Sequence, residues 1–214
     1  WPGVISVQAT WDNGTWHMCS GALIHPQWVL TVAQCFAGAG DISRWEVVIG
    51  ATDLSQPGPE AQLRHIQTLL VHQHYNPRTA LNNIALLELD QPVECSDYIQ
   101  LGCVSLAHPR VPAQCPLVPK AGTVPAEPRH GSSGGVGLAG RAQPGAAPDP
   151  SLLSQGDIGG PLVCKDNTGD YFWLVGLASW GKGCAGAKRP GVFTSTQQFH
   201  TWIQVQMGLL PPEA

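Results

Sequence analysis

The chain has 214 residues, of which 43% are hydrophobic and only 12% charged, with a formal net charge of -4. That supplies apolar material for a sizeable core, and one structural unit is the default at this length. The acidic balance and the lack of a Lys/Arg block argue against nucleic acid and anionic membranes as partners, and no apolar run reaches the roughly 18 residues of a membrane span.

Residues 4–8 open the chain as a strand. No leader precedes Trp1, so a leader and further chain are expected outside this sequence. Asn13-Gly14-Thr15 is an N-glycosylation sequon. Residues 28–33 form a continuous apolar run, followed by strand signals at 45–50 and 67–72. Asn82 and Asn83 read as a turn leading into a strand at 84–89, which ends before Pro92. This density of β-branched segments favours an all-β barrel or sandwich.

The composition changes near Pro109. Residues 119–150 are dominated by Gly, Ala and Pro. Such a stretch buries too little apolar surface to offset its ordering entropy, so a long loop or disordered insert is expected. Strand signals return at 161–164, 171–178 and 191–194. Residues 197–207 read as a helix with Phe199, Trp202, Ile203 and Val205 on its apolar stripe, stopped by Gly208. Seven cysteines point to an oxidising compartment, and their odd number leaves at least one thiol free or paired outside the chain.

Four segments carry a resemblance to a known family. Gly156-Asp157-Ile158-Gly159-Gly160-Pro161 resembles the G-D-S-G-G-P stretch of chymotrypsin-fold serine proteases, with Ile158 in place of the nucleophile. Leu30-Thr31-Val32-Ala33-Gln34-Cys35 resembles L-T-A-A-H-C, with Gln34 in place of the base. Asn83-Ile84-Ala85-Leu86-Leu87 resembles D-I-A-L-L, with Asn83 in place of the orienting acid. Ser179-Trp180-Gly181 and Pro190-Gly191-Val192-Phe193-Thr194 resemble the substrate-groove region. The matches come in family order and span nearly the whole chain, failing between about Cys115 and Leu153. Within the family the chain most resembles the acrosin group, through Cys184-Ala185-Gly186-Ala187-Lys188-Arg189-Pro190-Gly191, Pro161 to Asp166, and the placing of Cys95 and Cys103.

The resemblance implies two antiparallel six-stranded barrels, the second incomplete, with a C-terminal helix. It divides the chain into a first barrel at 1–108, a degenerate Gly/Ala/Pro-rich stretch at 109–153, and a remnant of the second barrel with the helix at 154–214. The triad mechanism needs a nucleophilic oxygen, a titrating base and a carboxylate. Ile158, Gln34 and Asn83 supply none of these. The backbone amides of Gly156 and Ile158 are an oxyanion-hole remnant, though shaping a tight turn is the plainer account. Leu152 stands where trypsin-like enzymes carry the pocket Asp, so with Ser179, Trp180, Gly181 and Gly191 it would line an altered or self-filled specificity pocket. Asp157 would lack the activation-cleaved N-terminal ammonium that pairs with it in the family, so zymogen-like or mobile pocket loops are expected.

The resemblance also implies disulfides Cys19–Cys35 and Cys115–Cys164. Cys184 is expected free, because Ser154 stands where its partner belongs. Cys95 and Cys103, which bond to a light chain in acrosin, are expected to be free, bonded together, or bonded to a missing piece. His72 and His74 share a strand face near His65, but two ligands are too few for a structural zinc site, so a solvated face is preferred and no metal or cofactor is expected. Lys182, Lys188 and Arg189 read as a solvated loop rather than a site for sulfated carbohydrate. The expected function is a catalytically inactive homologue in the secreted space or acrosomal lumen, acting through an unidentified protein or glycoprotein partner. The alternatives are an endopeptidase with substitute residues and a decaying gene product without a stable fold.

Overall fold

The structure, a computed structural model, describes residues 2–104, 158–165, 172–180 and 192–212. Six strands come first: β1 Val4–Trp11, β2 Gly14–His25, β3 Trp28–Thr31, β4 Trp45–Ile49, β5 Gln62–Val71 and β6 Ala85–Leu89. A 3-10 turn, Ala33–Phe36, follows β3. The strands close into a barrel in the order β1-β2-β3-β6-β5-β4, with β4 pairing back onto β1. Among the described residues, four strands and a helix follow: β7 Cys103–Val104, β8 Pro161–Lys165, β9 Phe172–Trp180, β10 Val192–Ser195 and α1 His200–Gln206.

The barrel interior follows from strand periodicity. Ile5, Val7 and Ala9 alternate inward from β1 and meet Leu23, Val29, Val47, Ile49 and Leu87, all buried. β3 and β6 carry more apolar residues because both of their faces are covered. Val29 and Leu87 fill the barrel. Leu30 and Leu86 point the other way, into a second cluster with Leu174 and Leu177 of β9 and with Phe199 and Ile203. That two-sided burial is why the run at 28–33 shows no alternation.

β2 is the strand the sequence hides. Its middle, Cys19-Ser20-Gly21-Ala22, is small and mixed in polarity. The neighbours press close there: a Cβ on Gly21 would meet Ile5 and Val29 at 2.9 Å. β5 begins at Gln62, five residues before the expected start, because its exposed half carries polar residues against β4.

β9 is the centre of the second sheet, pairing antiparallel with β8 and β10. Among the described residues this sheet is open. At one edge the two residues Cys103–Val104 pair parallel with Trp173 and Leu174, while the other described strand pairs are antiparallel. The stretch 109–153 and the boundary at 108 lie outside the described residues.

The expected helix at 197–207 is shorter and composite. A 3-10 turn, Gln197–Phe199, leads into α1. The buried Thr196 hydroxyl donates to the Leu174 carbonyl at 2.8 Å and pins that turn to β9. Gly208 takes φ 73° at the C-terminal end, a torsion that costs glycine little.

Leu86 is fully buried in the cluster that joins the two lobes. Leu86→Ala is therefore expected to cost about 2–5 kcal/mol in a urea titration. A loss well under 1 kcal/mol would contradict the packing described.

Candidate functional site

Asn83 lies just before β6, and a tight turn aims it inward. Asn82 takes φ 53°, and the Ile84 N–H donates to the Asn82 carbonyl. Asn82 is therefore the turn residue, while Asn83, expected in the same turn, is completely buried. Its Oδ1 accepts from the backbone N–H of Gln34 at 2.8 Å. Its Nδ2 donates to Ser179 Oγ at 2.8 Å and to Gln34 Oε1 at 3.3 Å. The Thr194 hydroxyl donates to its backbone carbonyl at 3.0 Å. Every polar atom of the Asn83 side chain is thus engaged, as burial requires.

Gln34 sits in the 3-10 turn after β3 and Ser179 in β9, so the site draws on both lobes. The Cys19–Cys35 disulfide, with Cα atoms 6.1 Å apart, ties that turn to β2. Ser179 is only 1% exposed. The sequence suggests it as a lining of the specificity pocket, but its hydroxyl belongs to the buried Asn83 network. Its place within Ser179-Trp180-Gly181 points only to the groove, and nothing local in the sequence signals a bond across 96 positions.

Ile158 is held in the seam by its backbone. Its carbonyl accepts from the Ser20 N–H at 2.8 Å. The next residue, Gly159, donates to the Ala178 carbonyl at 2.7 Å, and Ala178 donates to the Gly160 carbonyl at 2.8 Å. Gly159 takes φ 86°, and a Cβ there would collide with the Ser20 carbonyl and the Thr31 hydroxyl. Those two groups are themselves bonded at 2.8 Å. Only glycine fits both the torsion and the space. The Ile158 side chain is partly buried and packs against both core clusters. It is an apolar wedge between the lobes.

Gln34, Asn83 and Ser179 have no group that ionises near neutral pH. Their network can hold geometry, but it offers no proton acceptor of the kind general-base chemistry requires. Gly156, Leu152, Gly181, Gly191, Ser154, Asp157, Cys115, Cys184, Lys182, Lys188 and Arg189 lie outside the described residues. Trp180 is described only as the end of β9. Cys164 is disulfide-bonded, to a partner outside the described residues. Cys95 and Cys103 are free and exposed, hence not bonded to each other. Asn13 lies exposed at the tip of the β1–β2 hairpin.

The histidine pair differs from its expected strand face. β5 ends at Val71, so His72 and His74 follow it rather than sharing a side of it. The His72 ring packs 5.2 Å from both Phe199 and Trp202, with His74 at 5.8 Å. Trp202 Nε1 donates to Gln73 Oε1 at 3.2 Å. Burial, and secondarily repulsion from His74, hold His72 below its ordinary value of 6.5. Among the described residues no group of three or more His, Cys, Asp and Glu is placed to hold a metal ion.

A closed six-stranded barrel, a second sheet that is open among the described residues, a C-terminal helix and a polar site shared across the seam fit a scaffold of the chymotrypsin type. The family model described as Trypsin matches residues 1–127 and 143–203. The chain belongs to the trypsin family.

Asn83→Ala would orphan the buried Ser179 hydroxyl and the Gln34 N–H, so a loss of about 2–4 kcal/mol is expected. Gln34→Ala keeps the backbone bond to Asn83 and should cost under about 1 kcal/mol. Equal losses in parallel urea titrations would contradict this division. His72 gives a pH signature. Its depressed folded value means the unfolded chain binds the proton first, so stability is complete above about pH 6.5 and falls as pH is lowered below it. His72→Gln should flatten that part of the thermal-midpoint profile, and an unchanged slope would rule the contribution out.

Proposed function

We propose that this trypsin-family chain does not cleave peptide bonds and acts by binding, as an inactive member of the family resembling the acrosin group. The observation that carries the proposal is the Asn83 network. At the positions where the family motifs place base and acid, two amides bond to each other and the Asn83 amide also bonds to Ser179, with no titrating group among the three. Ile158, at the nucleophile's motif position, offers methyl groups and no attacking atom. Loss of the triad leaves roughly 10³–10⁴-fold over water in a family enzyme, from binding and the oxyanion hole alone.

The scaffold supports a binding role better than a catalytic one. The first lobe is a closed barrel with a filled interior. Leu152 replaces the acid expected in a trypsin-like pocket, which removes the charge that would select Lys or Arg. The proposed partner is a protein or glycoprotein met in the secreted space or the acrosomal lumen, in a reproductive setting, as the resemblance suggests. Cys95 and Cys103, both exposed, are available for a covalent partner of the light-chain kind.

A fluorophosphonate probe and a peptide-library cleavage assay test the inactivity. The chain should neither label nor cleave. Ile158→Ser alone should also stay unlabelled, because Gln34 cannot take the serine proton. Labelling of the unaltered chain that survives contaminant controls would overturn the proposal.

A further inference from the structure

The tip of the β1–β2 hairpin carries a surface groove that the Asn83 site does not use. β1 and β2 pair out to Trp11 opposite Gly14, leaving Asp12 and Asn13 as the two turn residues. The left-handed torsion falls on Gly14, with φ 127°. Trp11 and Trp16 are 44% and 54% exposed, unusual for the largest apolar side chain. With Asp12, Asn13 and Arg44 they line an open groove of about 560 Å³. That lies within the roughly 300–1,000 Å³ of small-ligand clefts. Arg44 and Asp12 approach to 3.6 Å but are both largely exposed, so their pairing contributes little to stability.

Two observations identify the occupant. The first is chemical. Indole faces are electron-rich and accept the polarised C–H face of a pyranose, while flanking Asp and Arg groups serve its hydroxyls and acetamide. The second is positional. Asn13, one of the lining residues, is the acceptor of Asn13-Gly14-Thr15, and it stands exposed on a two-residue turn two positions after Trp11. We propose that Asn13 is N-glycosylated and that the first N-acetylglucosamine folds back into this groove, against the indole of Trp11 and beside Arg44. The Cys19–Cys35 disulfide supplies the compartment, since the same oxidising lumen hosts the transfer.

The reaction balances as a substitution. The Asn13 carboxamide nitrogen forms a bond to C1 of the sugar and loses one proton. The C1–oxygen bond to a lipid-linked diphosphate donor breaks, and the lipid diphosphate leaves with the bonding electrons. No oxidant or reductant is needed. The groove then has two tasks. It screens the exposed indoles from water, and it ties the turn to the strand before it and to the loop carrying Arg44.

The test uses the whole chain secreted from a eukaryotic cell that makes high-mannose glycans. Endoglycosidase trimming should leave one N-acetylhexosamine on the peptide containing Asn13, and Thr15→Ala should abolish it while Thr15→Ser keeps it. In the trimmed protein, ring current from Trp11 should shift the N-acetyl methyl proton signal upfield. Trp11→Leu should return that signal to its free-sugar position. The sugar should raise the thermal midpoint by about 2–4 °C over Thr15→Ala, a gain that Trp11→Leu removes. An unmodified Asn13 in the secreted chain overturns the proposal. So does an attached sugar whose methyl signal and midpoint are indifferent to Trp11. If Asn13 is bare and added soluble chitobiose perturbs the Trp11 signals instead, the groove is a site for foreign saccharide and the proposal fails.

Discussion

The hydrogen bond from Asn83 to Ser179 joins the two lobes through two buried polar side chains. Asn83 stands at the entrance to β6 in the first barrel, and Ser179 near the end of β9 in the second sheet. Neither side chain could be left unsatisfied there, since an orphaned buried polar group costs about 1–3 kcal/mol. The constraint propagates outward. Satisfying Asn83 fixes the Gln34 turn, which the disulfide ties to β2. β2 receives the Ile158 carbonyl at Ser20, and Ala178, next to Ser179, receives Gly159. The circuit returns to its start through backbone bonds alone.

That circuit separates scaffold from chemistry. Its backbone members need a glycine at 159, a small strand middle and a buried turn, and all are present. Its side-chain members need only to pair and to fill space, which two amides and an isoleucine do without any titrating group. Asn83 carries both donor and acceptor, so its Oδ1 takes the Gln34 backbone N–H while its Nδ2 serves Gln34 Oε1 and Ser179 Oγ, and none of these bonds places a charge in the seam. An uncharged trio at this place is thus compatible with a tightly packed seam.

The sequence makes legible what depends on periodicity or on a turn residue. The barrel strands at 4–8, 28–33, 45–50 and 84–89 are visible because their apolar residues recur in pattern or run unbroken. β2 is not, because close neighbours demand Gly21 and small residues beside it, and smallness carries no period. The split of the C-terminal helix into a 3-10 turn and α1 follows from a buried Thr196 bond to a strand more than twenty positions away. The Gln34 and Asn83 positions are legible through their flanking motifs. Ser179's part in the network is not, because it is created by tertiary contact alone. His72 shows the reverse error: an i, i+2 spacing suggests a shared strand face only while the strand lasts, and β5 ends at Val71.

The central claim is that, among the described residues, the site is an uncharged hydrogen-bond network centred on Asn83. Side-chain amide NMR of Asn83 and Gln34 tests it most directly. The Asn83 Nδ2 protons should exchange slowly with solvent, and neither side chain's signals should titrate between about pH 5 and 8, the window in which a histidine base would show itself. A titrating shift in that window, or fast exchange at Asn83, would mean that an ionising group or open water occupies the seam and would contradict the account.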